Sequence, residues 1–222
     1  MAAHIWDSTL ENFRSAVASG EAMPAGVSVC AASASLGFGL LAKVLKVSGR
    51  RKDFSGNPAK LEALLESARA ESKRMMQFGE DDIATFNAYM ATTRLPQVTD
   101  AEREARKRAV DAAVRKAIEG PFAAARAAAS GIGLCGDAAG MAHAVVAADL
   151  GAATSLLAAA MRVFLLCTDS NIRQVASDPT AYRDLTVGRF EWETKAFRQA
   201  ETVMKQVAAI IDAAGAKSGR KA

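Results

Sequence analysis

Apolar positions recur along this chain three and four apart and almost nowhere alternate with polar ones in the period-two manner of strands. Leu61, Leu64, Leu65, Ala68, Met75 and Phe78 form one such helical stripe. Asn57-Pro58 opens it, with proline at the first helical position, where its missing N–H costs nothing. The pattern runs on through Asp82, Phe86, Tyr89 and Met90 to a stop at Leu95-Pro96. An earlier amphipathic helix is expected from about Ser8 to Ala18, capped by Asp7 or Ser8, with Gly20 just past its end. The compact turn Met23-Pro24-Ala25-Gly26-Val27-Ser28 then leads into an apolar helix, with Ser28 near its start, where backbone N–H groups are free. Thr99-Asp100-Ala101-Glu102 has the form of a capping box. Pro121 is expected to kink or restart the helix that follows, and the glycines between Gly131 and Gly140 to break it. Asp178-Pro179 marks a late turn, and a final helix is expected over about Phe190–Ala214, ahead of a frayed basic tail at 217–222.

The segment Met141–Asn171 is the most unusual stretch. Val145, Val146, Leu150, Ala153, Leu156, Leu157, Ala160, Val163 and Phe164 wrap most of the way round a helix that carries Asp149 and His143 with few other charges. Little surface is left for water. An ionised side chain is costly to bury unless paired, so Asp149 is expected either to meet a buried partner, such as Arg162 or a lysine of another helix, or to floor a cavity.

The expected architecture is all-α: one domain over 1–222, built as a bundle of long antiparallel helices. Half the residues are hydrophobic while aromatics make up 6%, so alanine and other small residues supply much of the core. Small residues along two helices (Ala31–Ser35, Gly37 and Gly39; Ala147, Ala148 and Gly151–Ala153) permit close backbone approach, and a C2 homodimer is expected. The net charge of +4 is mild and its cations are interleaved with acids, which argues against a nucleic-acid partner. Cys30, Cys135 and Cys167 lack metal-ligand spacing, and with two histidines a multi-histidine metal site within one chain is not expected. The first residues lack the basic-then-apolar form of a secretory leader. Val29–Leu45 and Ala142–Cys167 read as core helices rather than membrane spans, because charges and polar residues interrupt both. A cytoplasmic protein with no membrane partner is the expectation.

No phosphate-binding loop, nucleophile elbow or metalloprotease motif is present. Four features remain as candidate chemistry: the turn ending in Ser28, the basic loop Arg50-Arg51-Lys52, the acidic pair Asp81-Asp82, and Asp149 with His143 six positions before it. Each has a plainer reading. Asp82 borders an apolar face and is otherwise a solvated acid, His143 a helix-end histidine, and the basic loop a solvated turn unless an anion is held there.

These features stand in the order found in the cyclodeaminase/cyclohydrolase family, which comprises the C-terminal domain of formiminotransferase-cyclodeaminase and the stand-alone methenyltetrahydrofolate cyclohydrolases. From about Phe13 to Ile211 the chain resembles it. The family turn P-G-G-G-S is similar to Pro24–Ser28, its G-K-K-K loop to Gly49-Arg50-Arg51-Lys52, and its D-x-x-A-F-N-x-x-M…L-P to Asp82–Asn87, Met90 and Leu95-Pro96. Its V-P resembles Gly120-Pro121, its S-D-x-G-V-A-A resembles Ala148–Ala153, and its I-N-L resembles Ser170-Asn171-Ile172. Ala25 and Val27 replace two turn glycines, and in the family's G-N-x-N-x-x-S-D both amides and the serine are gone, with His143 at the first asparagine position.

The resemblance implies a folate-dependent one-carbon enzyme, hydrolysing 5,10-methenyltetrahydrofolate to 10-formyltetrahydrofolate, with no cofactor or metal beyond the folate substrate. The alternatives are formiminotetrahydrofolate cyclodeaminase, or an altered relative acting as a ligand-binding or structural subunit. The implied catalytic groups are Asp82, Asp149, Lys52 and His143. Ser28, Gly26, Arg50, Arg51, Asn87 and Asn171 are the implied substrate-binding groups. The carboxylates would favour the amidinium-like substrate cation and take a proton from water, while the basic loop would hold the anionic glutamate tail. Asp82 and Asp149 are expected to converge in one dry crevice.

Overall fold

The computed structural model describes residues 5–219, side chains of 217–219 excepted. Seven α-helices carry the described chain: α1 (Leu10–Val17), α2 (Gly26–Gly49), α3 (Pro58–Thr92), α4 (Asp100–Ala139), α5 (Ala147–Gln174), α6 (Arg183–Val187) and α7 (Arg189–Gly219), with short 3-10 turns at Ile5–Asp7, Ala144–Val146 and Pro179–Tyr182. No strand occurs among the described residues.

The helix starts follow local chemistry. Asn57 Oδ1 accepts from the backbone N–H groups of Ala59 and Lys60, with Pro58 behind it. The Thr99 hydroxyl accepts from Glu102 N while the Glu102 carboxylate accepts from Thr99 N, so the expected capping box forms. Hydrogen bonds from Thr99, and from the Val98 N–H, hold the Glu102 carboxyl below its ordinary range. At α1 the cap is Thr9, not Asp7 or Ser8: its hydroxyl accepts from Asn12 N, while Ser8 donates its own to the Ile5 carbonyl. The final helix continues past Ala214 to Gly219, and the remainder of the expected frayed tail, 220–222, lies outside the described residues.

Helices α2 to α5 form an up-down ring in which each lies antiparallel to its neighbours. Gly49 meets Leu61 and Gly79 meets Ala31 between α2 and α3, and Gly37 meets Ala153 and Leu157 between α2 and α5. Lys60 reaches Asp137 between α3 and α4, and Asn171 reaches Ala117 between α5 and α4. Phe38, Leu41, Leu45, Met75, Ile132, Leu157, Met161 and Phe164 fill the interior. Helix α7 lies outside the ring against α4 and α5, with Gln199 at Gly136 and Met204 and Val207 at Gly151.

The restart expected at Pro121 does not occur, and the break expected among the glycines falls at the last of them. Helix α4 runs from Asp100 to Ala139, through Pro121, Gly131, Gly133 and Gly136, and ends at Gly140, its C-cap. Gly131 lies under the Phe38 ring, so its missing side chain admits a neighbour and the helix continues. The small residues of α2 and α5 serve contact within the chain first: a Cβ on Gly37 would stand 3.3 Å from the Ala153 carbonyl oxygen and 3.4 Å from Leu157.

Helices α2 and α5 are long and apolar enough to cross a membrane by length and composition, and 56% and 50% of their most apolar stretches are buried inside the protein. Their outward faces therefore stay apolar and uncovered. Leu36 on α2 is 62% exposed and Leu166 on α5 is 61% exposed.

At 35 and 40 residues, α3 and α4 outrun α2 at 24. Their far ends project as a hairpin with its own small core of Val114, Ile118 and Ile172, against which Tyr89, Val110 and Tyr182 pack. Helix α2 begins at the foot of that hairpin.

Candidate functional site

The start of α2 is a helix end without a cap of its own. Ala25 is extended and offers no side-chain acceptor to the first turn, a position where serine, threonine or aspartate usually serves. Asp82 comes from α3 to fill that role. Ser28, fully buried, donates its hydroxyl to Asp82 Oδ2 at 2.8 Å, and its backbone N–H also points to the carboxylate. Burial pushes the Asp82 carboxyl above its ordinary range, and the two Ser28 hydrogen bonds pull in the opposite direction without cancelling it.

Asp82 lines a cavity of about 80 Å³ with Val27, Phe78, Thr85, Lys116 and Pro121. The cavity adjoins an open cleft of about 650 Å³ between α3 and α4, and Asp81, Thr85, Lys116 and Gly120 line both. That volume suits a ligand of drug or cofactor size. Asp81 accepts from Gln77 at 2.8 Å. Lys116 pairs with no carboxylate among the described residues.

The wall of this cleft depends on a contact between two distant segments. In an unbroken α-helix the Ala117 carbonyl would accept from the N–H of residue 121, which as proline has none. Asn171 of α5 supplies the missing donor, its Nδ2 lying 2.8 Å from the Ala117 oxygen. Asn171, expected among the substrate-binding groups, thus spends an amide N–H on holding α4 in shape.

The other sequence candidates gather at the opposite end of α2. Lys43 Nζ lies 2.8 Å from Asp149 Oδ2, and the Asp149 side chain is 28% exposed. The burial expected of Asp149 is therefore corrected. Its helix is apolar all round, but its outer face is uncovered and water reaches the carboxylate; a lysine on another helix is the partner it finds. Ser28 and Lys43 stand fifteen positions apart, about 22 Å along the axis. Asp82 and Asp149 accordingly do not converge within one chain.

His143 is a helix cap. Its Nδ1 accepts from Val145 N at 3.2 Å, its backbone N–H donates to Ser48 Oγ at 2.9 Å, and Nε2 lies 3.6 Å from Asp53. With Nδ1 occupied as an acceptor, the neutral ring carries its proton on Nε2. Arg50, Arg51 and Lys52 are exposed, with Arg51 Nε 3.5 Å from Asp53. Gly26 begins α2, and Asn87 is exposed on α3.

Within one chain the structure therefore unites Gly26, Ser28, Asp82 and the Asn171 support at one pole, and Lys52, His143 and Asp149 at the other. Lys116 and Thr85 were missed because nothing distinguishes one lysine on a charged amphipathic helix from its neighbours. Lys43, a lone cation in an apolar run, carried a signal of its own. Among the described residues no three His, Cys, Asp or Glu side chains gather as a metal site.

A family model described as formiminotransferase-cyclodeaminase matches residues 9–187. The methenyltetrahydrofolate cyclohydrolase of Methylorubrum extorquens is 29% identical over 118 residues, covering 53% of this chain and 57% of that protein. The formimidoyltransferase-cyclodeaminase of Sus scrofa is 30% identical over 121 residues, 54% of this chain and 22% of that longer protein. The match thus spans little more than half of the first relative and about a fifth of the second. A crystal structure of formiminotetrahydrofolate cyclodeaminase from Thermotoga maritima shares the fold, with a TM-score of 0.75 at 17% identity over 94% of this chain and 98% of that one.

Proposed function

This chain belongs to the formiminotransferase-cyclodeaminase family, and from that premise we propose that it is a cytosolic enzyme hydrolysing 5,10-methenyltetrahydrofolate to 10-formyltetrahydrofolate. The observation that carries the reading is the half-buried Asp82 carboxyl, held by Ser28 at the edge of a cleft of ligand size. As a carboxylate it favours the amidinium-like cation of the substrate and accepts a proton from the attacking water. The water oxygen then bonds to the bridging carbon, the bond from that carbon to one ring nitrogen breaks, and the proton passes to that nitrogen. The cation's positive charge leaves as a proton to solvent. No further cofactor is needed for this step. Lys116 faces the cleft as a counter-charge for the folate's carboxylates.

We assign Asp149, Lys43 and the basic loop to the same site through a homodimer. The midpoint of Ser28 and Lys43 falls between Ser35 and Leu36, beside the most exposed leucine of α2. A two-fold axis there would lay two α2 helices antiparallel and bring Lys43 and Asp149 of the partner subunit toward Asp82. Gly39 supports this placement, because a Cβ on it would meet nothing within 4 Å in its own chain. Leu36→Asp is expected to weaken self-association at least tenfold, since it places a charge at the centre of an apolar contact. Sedimentation at micromolar concentration reads it, and an unchanged sedimentation coefficient would refute that interface.

A specific observation favours the runner-up, a ligand-binding relative without turnover: Asp149 is neutralised by Lys43 and flanked by alanine and valine where the family pattern has amides and serine. Loss of methenyl absorbance on adding protein, measured beside ammonia release from the formimino substrate, separates the readings. Absorbance loss without ammonia is the expected result. Ammonia release makes it a cyclodeaminase, folate binding without either change makes it a binding subunit, and no binding at all ends the folate reading.

A further inference from the structure

Two of the three cysteines, unused in the reaction above, lie along the seam between α2 and α5. Cys167 Sγ lies 3.6 Å from the point that a Cβ on Gly26 would occupy, and Val163 lies 3.8 Å from the same point. Cys30 stands one helical turn beyond Gly26, on the same face of α2. The two helices are antiparallel, and side chains on a helix lean toward its N-terminus. Cys30 therefore leans back toward Gly26, and Cys167 leans along α5 toward Val163. Cys167 thus fills space that the missing Gly26 side chain leaves open, and Cys30 leans toward it from the next turn of α2, its thiol more than 4 Å from that point.

The third cysteine differs in every respect that matters. Cys135 is fully buried in the middle of the core, whereas Cys30 and Cys167 are partly exposed, and all three are free thiols. Burial first, and the neighbouring Cys167 second, pushes the Cys30 thiol up to about 11. Burial and then Asp82 push Cys167 upward too. At neutral pH the pair is therefore mostly protonated, and its reaction as a nucleophile speeds up as pH rises and the thiolate fraction grows.

We propose that Cys30 and Cys167 act as one dithiol, which exchange with a small-molecule disulfide closes into a cross-link between α2 and α5. One sulfur, on losing its proton, attacks a sulfur of the reagent, and the departing thiolate takes up that proton. The second protein sulfur then attacks the mixed disulfide and expels the other half of the reagent as a thiol. Two protein thiols are oxidised by two electrons while one small disulfide is reduced to two small thiols. The bond ties down the first turns of α2, which present Ser28 to Asp82, so the modification sits at the edge of the cleft.

The test treats the native protein with excess oxidised glutathione, then counts free thiols and maps peptides without reduction. The expected result is a fall from three free thiols to one, no retained glutathione, and a peptide joining residues 30 and 167. Cys30→Ser and Cys167→Ser should each instead keep a glutathione adduct on the remaining partner. Adducts on both cysteines of the unaltered protein, a link involving Cys135, a link that forms only after denaturation, or no reaction would each overturn the proposal.

Discussion

Asp82→Asn is expected to lower kcat for methenyl hydrolysis by about 10²–10⁴-fold, the usual worth of a positioned general base. Asparagine is the informative replacement because Asp82 also caps α2. It keeps an acceptor oxygen for Ser28 while removing the charge and the basicity, so a loss of rate without a loss of folding isolates the chemistry. The pH profile provides an independent check. Burial holds the Asp82 carboxyl above its ordinary range, and the ionised form is the active one, so activity should rise with pH through that elevated value. Ser28→Ala removes the hydroxyl hydrogen bond that favours the carboxylate and keeps the backbone one, so the acid limb should move to still higher pH. An Asp82→Asn enzyme with full kcat, or a limb that Ser28→Ala leaves in place, would remove Asp82 from the reaction.

Gly131→Ala should destabilise the fold by about 1–3 kcal/mol, the usual range for overpacking a core. Helix propensity alone predicts the opposite sign, since replacing a mid-helix glycine by alanine normally gains about 1 kcal/mol. The added methyl would stand 2.5 and 2.7 Å from atoms of the Phe38 ring and 3.0 Å from Leu157. Phe38 and Leu157 are both fully buried and have no solvent to swing into. In a chain of this size the cost lowers Tm by about 2–12 °C. Phe38→Leu in the same background should recover part of the loss by vacating the ring's volume, which calorimetry on the single and double variants can read. A Gly131→Ala protein that melts higher than its parent would show that the ring is free to move.

The helix starts at Asn57-Pro58 and Thr99–Glu102 were legible because a cap is a contract among residues three or four apart, all visible in one short window. A break among the glycines between Gly131 and Gly140 was legible too, but not which of them would end α4, for the complementary reason. Whether a glycine ends a helix or admits a neighbour depends on what lies across from it, and Phe38 is ninety-three positions away in the chain. The Asp149 helix was misread through a different physical confusion. Hydrophobicity on all sides was equated with burial on all sides, yet within one chain the outer face of α5 has nothing against it, so Lys43 and water reach the carboxylate. Of the candidate site, Ser28 and Asp82 could be nominated from type and position. Their pairing could not, because fifty-four residues separate them and the contact arises only when α2 and α3 lie antiparallel. Lys116 was invisible among 28 lysines and arginines.

The bond from Asn171 to the Ala117 carbonyl also dictates the order in which this wall of the cleft can change during descent. A lineage that loses the asparagine first strands a polar oxygen between two helices and is penalised at once. One that first exchanges Pro121 for a residue with an N–H restores the helix's own donor, and only then is Asn171 free to drift or to take up other work.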